Sequence, residues 1–490
     1  MDTRPKLAIG PTAALALFTV GGTLGACALG LLACAVVGII YGEAFVVFAL
    51  AGLATAVIAG GALHVARISL RGLTVQAFAG LLAVTLAWTA ASAVGGAALL
   101  AAGTFGSPLD AFFEAASGFT TTGATLLADL EAEPHAVLLW RSIMQWLGGV
   151  GIVVLVVAIA PVAGPAAQRA FYAETSGITA ERLTPRIIDT AKIIAGIYLV
   201  LSAGAFAGYV VAGMSAFDGL NHAMTTVATG GFSTRDASIA AFDSLPIELV
   251  AITFMIAGGV NFAFYWRAVR RKPLLPQGAE VAAFLGILAV AIAAITLSVE
   301  LAGQATLREA AFNVTSILTT TGYATADFDA WNQFARLLLL VLMFSGACAA
   351  STAGGIKAIR SVLLGKAARQ ELDRALQPRA VRVLRFGGHA YSEDVRRAVL
   401  GFFLVYVGLY TAGALTMAAT ELDPVTALSA AASALNLIGP GLGEIGPDTT
   451  WEAVPAFGRG VAAFLMIAGR LEVFTVVALL AALVGGRRRR

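Results

Sequence analysis

Apolar stretches long enough to cross a lipid bilayer recur along the whole 490-residue chain, and they constrain the fold more than any other feature. A membrane-spanning helix needs about 20 apolar residues. Ten stretches reach that length: 13–37, 44–65, 74–101, 136–162, 191–213, 246–267, 280–301, 333–357, 398–419 and 456–484. The chain is 59% apolar and only 12% charged, roughly half the charged fraction of a soluble domain. The sequence therefore predicts an all-α polytopic membrane protein and excludes a disordered chain or a secreted disulfide scaffold.

Basic residues predict how the chain is oriented in the membrane. If the N-terminus is cytoplasmic and the spans alternate, 26 of the 32 Lys and Arg residues lie on the cytoplasmic side. This bias agrees with the positive-inside rule, so we expect a multi-pass protein with both termini in the cytoplasm. The basic segment 358–397 is expected to be a cytoplasmic helical hairpin or linker. Arg487–Arg490 is expected to contact membrane lipid through anionic headgroups, or only to enforce the topology.

Composition and residue spacing exclude several functions. The net charge of +3 is too small to indicate a nucleic-acid partner. Cys27, Cys34 and Cys348 lie in apolar runs without zinc-ligand spacing, and an odd number of cysteines cannot all pair within one chain. The four histidines are scattered, and the spans lack paired carboxylates. Because no segment outside the membrane is long enough for a soluble enzyme domain, we expect neither an enzyme nor a covalent cofactor.

An internal repeat occurs between the spans. Four segments are too apolar for loops and too short for full crossings: 110–125, 218–234, 309–325 and 426–442. Each begins with a helix-like run that covers about half a bilayer and ends in a turn rich in Thr and Gly. They align on Gly123, Gly231, Gly322 and Gly439, and the residues six positions earlier are Ser117, Thr225, Ser316 and Ser433. A single such turn is usually a packing motif, but four copies in one register predict a re-entrant loop in every repeat.

The chemistry of these turns indicates an ion pore. An extended stretch at membrane depth must be buried in protein or line a water-filled cavity, because lipid cannot satisfy its carbonyls. A half-helix that ends in mid-membrane points the negative end of its dipole inward, and that end favours a cation. Four such ends can surround one axis with carbonyls that replace an ion's hydration shell. We predict four helix–re-entrant pore loop–helix repeats around one pseudo-fourfold ion pore, preceded by two extra transmembrane helices.

After the third of these turns, residues 342–360 contain too many Gly and Ser residues for a continuous helix. We interpret 346–355 as an irregular intramembrane gate beneath the turns, and a small-residue packing seam is the alternative. The residues expected to form this gate are Gly346, Ser351, Thr352, Gly354 and Gly355. Arg470 lies deep in the last predicted span, and we interpret it as a fixed cation that contacts the gate and opposes ion passage. The alternative is that Arg470 pairs with Glu472 or reaches the membrane surface.

Seven motifs carry a resemblance to a known family. They are TTTGAT (120–125), QWLGGVGIVVL (145–155), ATGGFST (228–234), TTTGYAT (319–325), STAGGIKAIR (351–360), LNLIGPGLGEIG (435–446) and GRLEVFT (469–475). Together they resemble the superfamily of bacterial Trk and Ktr potassium uptake subunits, related to plant high-affinity potassium transporters (HKT), with the TrkH type most similar. The resemblance implies potassium uptake across the cell inner membrane by a homodimer with one pore per protomer. It also implies a cytosolic nucleotide-binding regulatory ring subunit of the TrkA type.

The resemblance further implies which residues form the selectivity filter, with bound K⁺ as the only ligand. They are Thr121, Thr122, Gly123, Thr229, Gly230, Gly231, Thr320, Thr321, Gly322, Asn436, Leu437, Ile438 and Gly439. The fourth repeat departs from the pattern, since it has Asn436, Leu437, Ile438 and Pro440 where other repeats carry Thr or an aromatic residue. We therefore expect weaker selectivity than in a symmetric potassium channel. The expected units are a two-helix unit and four pore repeats: 1–72, 73–163, 164–278, 279–395 and 396–490.

Other functions stay open at this point. A sodium-permeable or nonselective monovalent cation transporter of the same architecture is the main alternative, although Gly at all four aligned positions favours potassium. A structural scaffold does not explain four half-length segments. The sequence does not distinguish a channel from proton symport or sodium symport.

Overall fold

The computed structural model describes residues 10–69, 77–159, 187–275, 277–377 and 383–473. In chain order the α-helices are α1 (Pro11–Tyr41), α2 (Val46–Ser69), α3 (Ala77–Ala101), α4 (Pro108–Thr120), α5 (His135–Ile159), α6 (Ile187–Val211), α7 (Ala216–Val227), α8 (Leu245–Gly259), α9 (Phe262–Val269), α10 (Gln277–Leu301), α11 (Leu307–Leu318), α12 (Gln333–Met343), α13 (Ala358–Leu376), α14 (Glu393–Ala418), α15 (Pro424–Asn436) and α16 (Ala456–Arg470). Strands β1 (Leu384–Phe386) and β2 (His389–Tyr391) pair antiparallel between α13 and α14. Short 3₁₀ helices cover Ser238–Phe242, Phe328–Ala330, Gly443–Ile445 and Trp451–Ala453.

Six helices of the described ranges are long and apolar enough to cross a membrane: α1, α2, α3, α6, α10 and α14. Large apolar side chains on these helices point outward. Leu29, Val57 and Val200 are more than two-thirds exposed, as expected for helices that face lipid rather than water. The chain is therefore a mostly helical, multi-pass membrane protein, and this part of the predicted fold is confirmed.

Four short helices, α4, α7, α11 and α15, fill the centre of the molecule, and each follows a long helix. They have 12 or 13 residues, and most of their side chains are buried. Side-chain caps determine where three of them begin: Ser215 accepts from the Asp218 amide, Thr306 and Glu309 form a capping box, and Asp423 accepts from two amides of α15. Asp110, Asp218 and Glu309 lie thirteen positions before the aligned glycines of the first three repeats. Each is in the first turn of its helix, where a negative charge is favourable.

Three predicted spans, 246–267, 333–357 and 456–484, do not form continuous helices in the described residues. The predicted span 246–267 consists of α8 and α9, which meet at an angle of 93°. The predicted span 456–484 begins with α16, but this helix ends at Arg470, and Glu472 and Val473 have positive φ. The part of that span beyond residue 473 lies outside the described residues. In the third repeat, α12 ends at Met343 and an irregular stretch follows up to α13.

The break after α8 has a specific cause. The Cys348 amide donates to the Gly259 carbonyl at 3.0 Å, and the Thr352 amide donates to the Gly258 carbonyl at 3.2 Å. The last carbonyls of α8 are therefore satisfied by segment 346–355 and not by a further helical turn. Asn261 then begins α9 by accepting from the Ala263 amide at 2.9 Å.

Of the two expectations for segment 358–397, a helical hairpin or a linker, the described residues exclude the helical hairpin. Helix α13 is followed by a β-hairpin whose turn residues Gly387 and Gly388 both have positive φ, 56° and 80°. Two successive glycines of this kind favour a tight hairpin. An apolar cluster joins this unit to segment 346–355 and to α14: Ala349, Ile359, Leu363, Leu384 and Val399.

Candidate functional site

Four turns meet at the centre of the molecule, one at the C-terminal end of each short helix. We call them turns 1 to 4; they comprise residues 121–123, 229–231, 320–322 and 437–439. The first residue of each turn has positive φ: Thr121 59°, Thr229 51°, Thr320 58° and Leu437 63°. The last residue also has positive φ: Gly123 84°, Gly231 78°, Gly322 84° and Gly439 102°. Glycine adopts this conformation at little cost, but Thr rarely does, so the first positions carry backbone strain of the kind found at functional sites.

The four glycines pack against one another's turns in cyclic order. A Cβ atom on each glycine would approach a carbonyl oxygen of the next turn: Gly123 to Gly230 at 2.2 Å, Gly231 to Thr321 at 1.9 Å, Gly322 to Ile438 at 1.8 Å and Gly439 to Thr122 at 2.8 Å. Turn 1 therefore faces turn 2, turn 2 faces turn 3, turn 3 faces turn 4, and turn 4 faces turn 1. The four repeats surround one axis. At all four glycines a methyl group would displace neighbouring backbone.

Most carbonyls of this ring have no partner in the part of the chain that the structure describes. The four turns contain twelve carbonyl groups, and within the described residues ten of them accept no hydrogen bond. The exceptions are Gly230, which accepts from Gln145 Nε2 at 2.6 Å, and Gly439, which accepts from Ser433 and Trp451. Buried carbonyls without partners are costly unless water or a cation contacts them. The ring therefore has the chemistry of a site for cations that have lost part of their hydration shell.

A buried ion pair holds the chain that follows turn 1. Arg141 Nε donates to Glu114 Oε1 at 2.9 Å, and both side chains are almost fully buried. Glu114 also accepts from the Thr125 hydroxyl at 2.8 Å and from the Leu126 amide at 3.0 Å. The sequence alone assigns no role to Arg141. Its spacing from Glu114 gave no signal, because the two residues lie on different helices.

Two further side chains that sequence reasoning missed hold turns 2 and 3. Gln145 donates to the Gly230 carbonyl, and its Oε1 accepts from the Phe232 amide at 3.0 Å. Tyr323 follows turn 3, and its hydroxyl contacts the Thr226 hydroxyl of α7 at 3.1 Å. Each side chain therefore links one repeat to its neighbour. The motif that contains Gln145 was noticed in the sequence, but no contact could be assigned to it.

Segment 346–355 lies directly against the inner ends of the short helices. Thr352 Oγ1 donates to the last carbonyl of α7, that of Val227, at 3.0 Å. The Gly354 amide donates to Thr320 Oγ1 in turn 3 at 2.7 Å. A Cβ atom on Gly354 would also lie 2.2 Å from the Asn436 carbonyl at the end of α15. The segment thus contacts repeats 2, 3 and 4 on the axis below the ring.

The remaining predicted gate residues close this segment on itself. The Gly346 amide donates to the Ile356 carbonyl at 2.7 Å, and Ser351 Oγ donates to the Cys348 carbonyl at 2.6 Å. Gly355 has φ of 68° and lies against Gly346.

Arg470 joins the segment to repeat 1. Its Nη1 donates to the Thr352 carbonyl at 2.8 Å and to Thr121 Oγ1 at 3.2 Å, and its Nη2 donates to the Gly148 carbonyl at 2.6 Å. The suggested pair with Glu472 is not present, because Glu472 forms an ion pair with Arg360 of α13 at 2.5 Å. The guanidinium therefore binds main-chain carbonyls below the ring.

Asn436 differs from the other predicted filter residues in its position. It is the last residue of α15, and its side chain is bonded within the protein. Its Nδ2 donates to the Ala432 carbonyl at 2.8 Å, and its Oδ1 accepts from the Tyr406 hydroxyl at 2.5 Å. In the part of the chain that the structure describes, no group of three or more His, Cys, Asp or Glu residues could hold a metal ion.

Comparisons with known proteins agree on one family. The model of the family TrkH, described as "Cation transport protein", matches residues 47–299 and 281–485. The "Trk system potassium uptake protein TrkH" of Halomonas elongata is 38% identical over 408 residues, which are 82% of this chain and 84% of that protein. The protein of the same name from Escherichia coli K12 is 37% identical over 409 residues, with the same coverage of both chains. The crystal structure of the potassium transporter TrkH from Vibrio parahaemolyticus superposes with a TM-score of 0.85 at 35% identity, covering 95% of this chain and 98% of that one.

Proposed function

This chain belongs to the TrkH family of cation transport proteins and is not an enzyme, and on that premise we propose that it takes up potassium ions through the ring of turns 1 to 4. The observation that carries the proposal is the cyclic packing of the four glycines around one axis, with ten carbonyls that accept no hydrogen bond from any described residue. Two of its relatives are named as potassium uptake proteins, which supports potassium as the ion.

The ring suits a dehydrated monovalent cation. Main-chain carbonyls replace the oxygens of the hydration shell, and the strained turns hold them in place. The C-terminal ends of α4, α7, α11 and α15 add the negative ends of four helix dipoles at the same point. The carbonyls of turns 1 to 4 are the proposed filter ligands, and Asn436 supports them from the end of α15.

Segment 346–355 is the proposed gate. It contacts three repeats directly and reaches repeat 1 through Arg470, so it must move before an ion can leave the ring toward the cytoplasm. Arg470 holds the Thr352 carbonyl and places a positive charge below the ring. Gly346, Gly354 and Gly355 lack side chains, which makes alternative backbone arrangements accessible.

The proposed regulator is a cytosolic nucleotide-binding ring on the basic inner face. The Arg360–Glu472 ion pair links α13, in the cytoplasmic segment, to the residue two positions beyond Arg470. The apolar cluster around Ala349 and Ile359 supplies a second contact between the cytoplasmic unit and the gate. Movement of α13 would therefore be passed to segment 346–355 through Ala349 and to the end of α16 through Glu472. A homodimer in the cell inner membrane, with both termini cytoplasmic, completes the proposal.

Turn 4 favours a second candidate, a transporter that also admits sodium. Leu437 and Ile438 replace the Thr and Gly residues of the other turns, and the Gly439 carbonyl is bonded within the protein. A ring with fewer available carbonyls discriminates less between the two ions.

The test is expression in a host that lacks its own potassium uptake systems. We expect growth at low external potassium with the wild-type chain and none with Gly231→Ser, in which the new side chain collides with the Thr321 carbonyl. Gly286→Ser is the matched control, because nothing lies within 4 Å of a Cβ atom at that position. Rescue that depends on sodium rather than potassium would favour the second candidate, and equal growth with Gly231→Ser would contradict the assignment of the ring.

A further inference from the structure

The Gly439 carbonyl is the most strongly bonded carbonyl of the ring. It accepts from Ser433 Oγ at 2.9 Å and from Trp451 Nε1 at 2.9 Å. A carbonyl oxygen has two lone pairs, so these two donors occupy both. Within the described residues, the carbonyls of Gly123, Gly231 and Gly322 accept no hydrogen bond. The fourth repeat thus differs from the other three at the aligned glycine.

The first donor is particular to the fourth repeat, although all repeats have a hydroxyl at the same position. Ser433 lies six residues before Gly439, in register with Ser117, Thr225 and Ser316. Ser117 and Ser316 are buried, and in the described part of the chain their hydroxyls have no partner. Thr225 instead contacts the Tyr323 hydroxyl of the neighbouring repeat at 2.5 Å. Only Ser433, of these four hydroxyls, holds the glycine of its own turn.

The second donor lies outside the aligned segment 426–442 of the fourth repeat. Trp451 lies in a short 3₁₀ helix before α16, and its side chain is buried. Its amide donates to the Thr125 carbonyl at 2.9 Å, and its ring packs on Phe113 of α4 at 5.6 Å between ring centroids. Trp451 therefore bridges repeat 4 to repeat 1 while it binds the Gly439 carbonyl.

The spacing of the ring is widest at this same junction. The Cβ-to-carbonyl distance is 2.8 Å between Gly439 and turn 1, whereas it is 1.8–2.2 Å at the other three junctions. The junction at Gly439 is therefore the widest of the four, and the Gly439 carbonyl is also the one that two donors hold.

We infer that Ser433 and Trp451 are positioning residues that set ion selectivity by holding the Gly439 carbonyl out of the ion path. At the level of the glycines the ring then offers three free carbonyls and not four. Because discrimination between potassium and sodium depends on the number and strength of the coordinating dipoles, the withheld carbonyl lowers the preference for potassium. The inference rests on the proposed function of the ring.

The test is the ratio of potassium to sodium uptake into proteoliposomes, measured for the purified full chain and its variants. Ser433→Ala removes one donor, and Trp451→Phe removes the other while keeping a ring against Phe113. We expect the ratio to rise in each single variant and by about threefold to tenfold in the double variant, the effect of a net hydrogen-bond energy on a binding constant. Ser433→Thr keeps the hydroxyl, and the second repeat has Thr at this position. This variant should have the same ratio as the wild type.

The matched control is Ser117→Ala, which removes a buried hydroxyl in the same register that has no partner among the described residues. Its ratio should equal that of the wild type. An unchanged ratio in the double variant, with a normal size-exclusion profile and melting temperature, would overturn the inference. So would an equal shift in Ser117→Ala, because the cause would then be general packing. If the wild-type ring prefers sodium, the proposed function fails, but the ratio should still rise when the donors are removed.

Discussion

In the proposed function Arg470 both holds the gate and repels the ion, so replacing it by Ala should raise cation flux. The guanidinium donates to the Thr352 carbonyl at 2.8 Å and lies 3.2 Å from Thr121 Oγ1, at the edge of the ring. For a potassium ion about 8 Å away and an effective dielectric constant of about 20, the repulsion is about 2 kcal/mol. Removing it should speed passage by about thirtyfold if this barrier limits the rate.

The gate contributes a second part of the effect. A charge-assisted hydrogen bond is worth about 1.5–3 kcal/mol, so loss of the bond to Thr352 also favours movement of segment 346–355. Arg470→Lys is the control: it keeps the positive charge but loses the forked donor geometry, so its flux should lie between wild type and Arg470→Ala.

The assay is uptake of radioactive rubidium into proteoliposomes that contain the purified chain. Arg470→Ala and a variant with a shortened segment 346–355 should both take up ions faster than wild type. Equal or lower uptake in both variants, with normal size-exclusion profiles, would refute the reasoning and make the segment a packing seam.

Three other substitutions test separate parts of the structure. Gly123→Ser should increase sodium permeation relative to potassium, since its Cβ would lie 2.2 Å from the Gly230 carbonyl; unchanged ion ratios would place selectivity elsewhere. Glu114→Gln leaves buried Arg141 without its counter-charge, so the free energy of unfolding in detergent should fall by about 3–5 kcal/mol. An unchanged melting temperature would contradict this. Partial burial raises the pKa of Glu43, but hydrogen bonds from the amides of His135 and Ala136 and from the His135 ring outweigh it and hold that pKa below its ordinary value. Glu43→Gln should therefore be less stable than wild type at neutral pH, and the difference should vanish as the pH falls through the lowered pKa; a difference that persists in acid would exclude the charge as its cause.

The repeat could be predicted from sequence because its signals are local. The aligned glycines mark positions with positive φ, and the acidic residues thirteen positions earlier mark helix starts, so one register indicated four short helices. The β-hairpin also had a local signal in Gly387 and Gly388, which was overlooked in a chain dominated by helices.

The broken helices and the supports of the ring could not be found in this way. Helix α8 ends at Gly259 because residues of segment 346–355, about 90 positions further along the chain, satisfy its last carbonyls. Gln145 reaches Gly230 across 85 residues, and nothing in its local pattern indicates that contact. Hydropathy predicts only that a segment is apolar, so it cannot distinguish a continuous helix from one whose end is completed by another part of the chain.

The most direct test of the ring is the position of a heavy monovalent cation in crystals of the full chain. Thallium or rubidium soaked into such crystals gives anomalous density at the bound ions. We predict peaks on the axis between turns 1 and 3, within coordinating distance of the unbonded carbonyls of Gly123 and Gly322. Density that is absent from the ring, or that lies only outside the four turns while the protein still transports potassium, would contradict the assignment of the ion path.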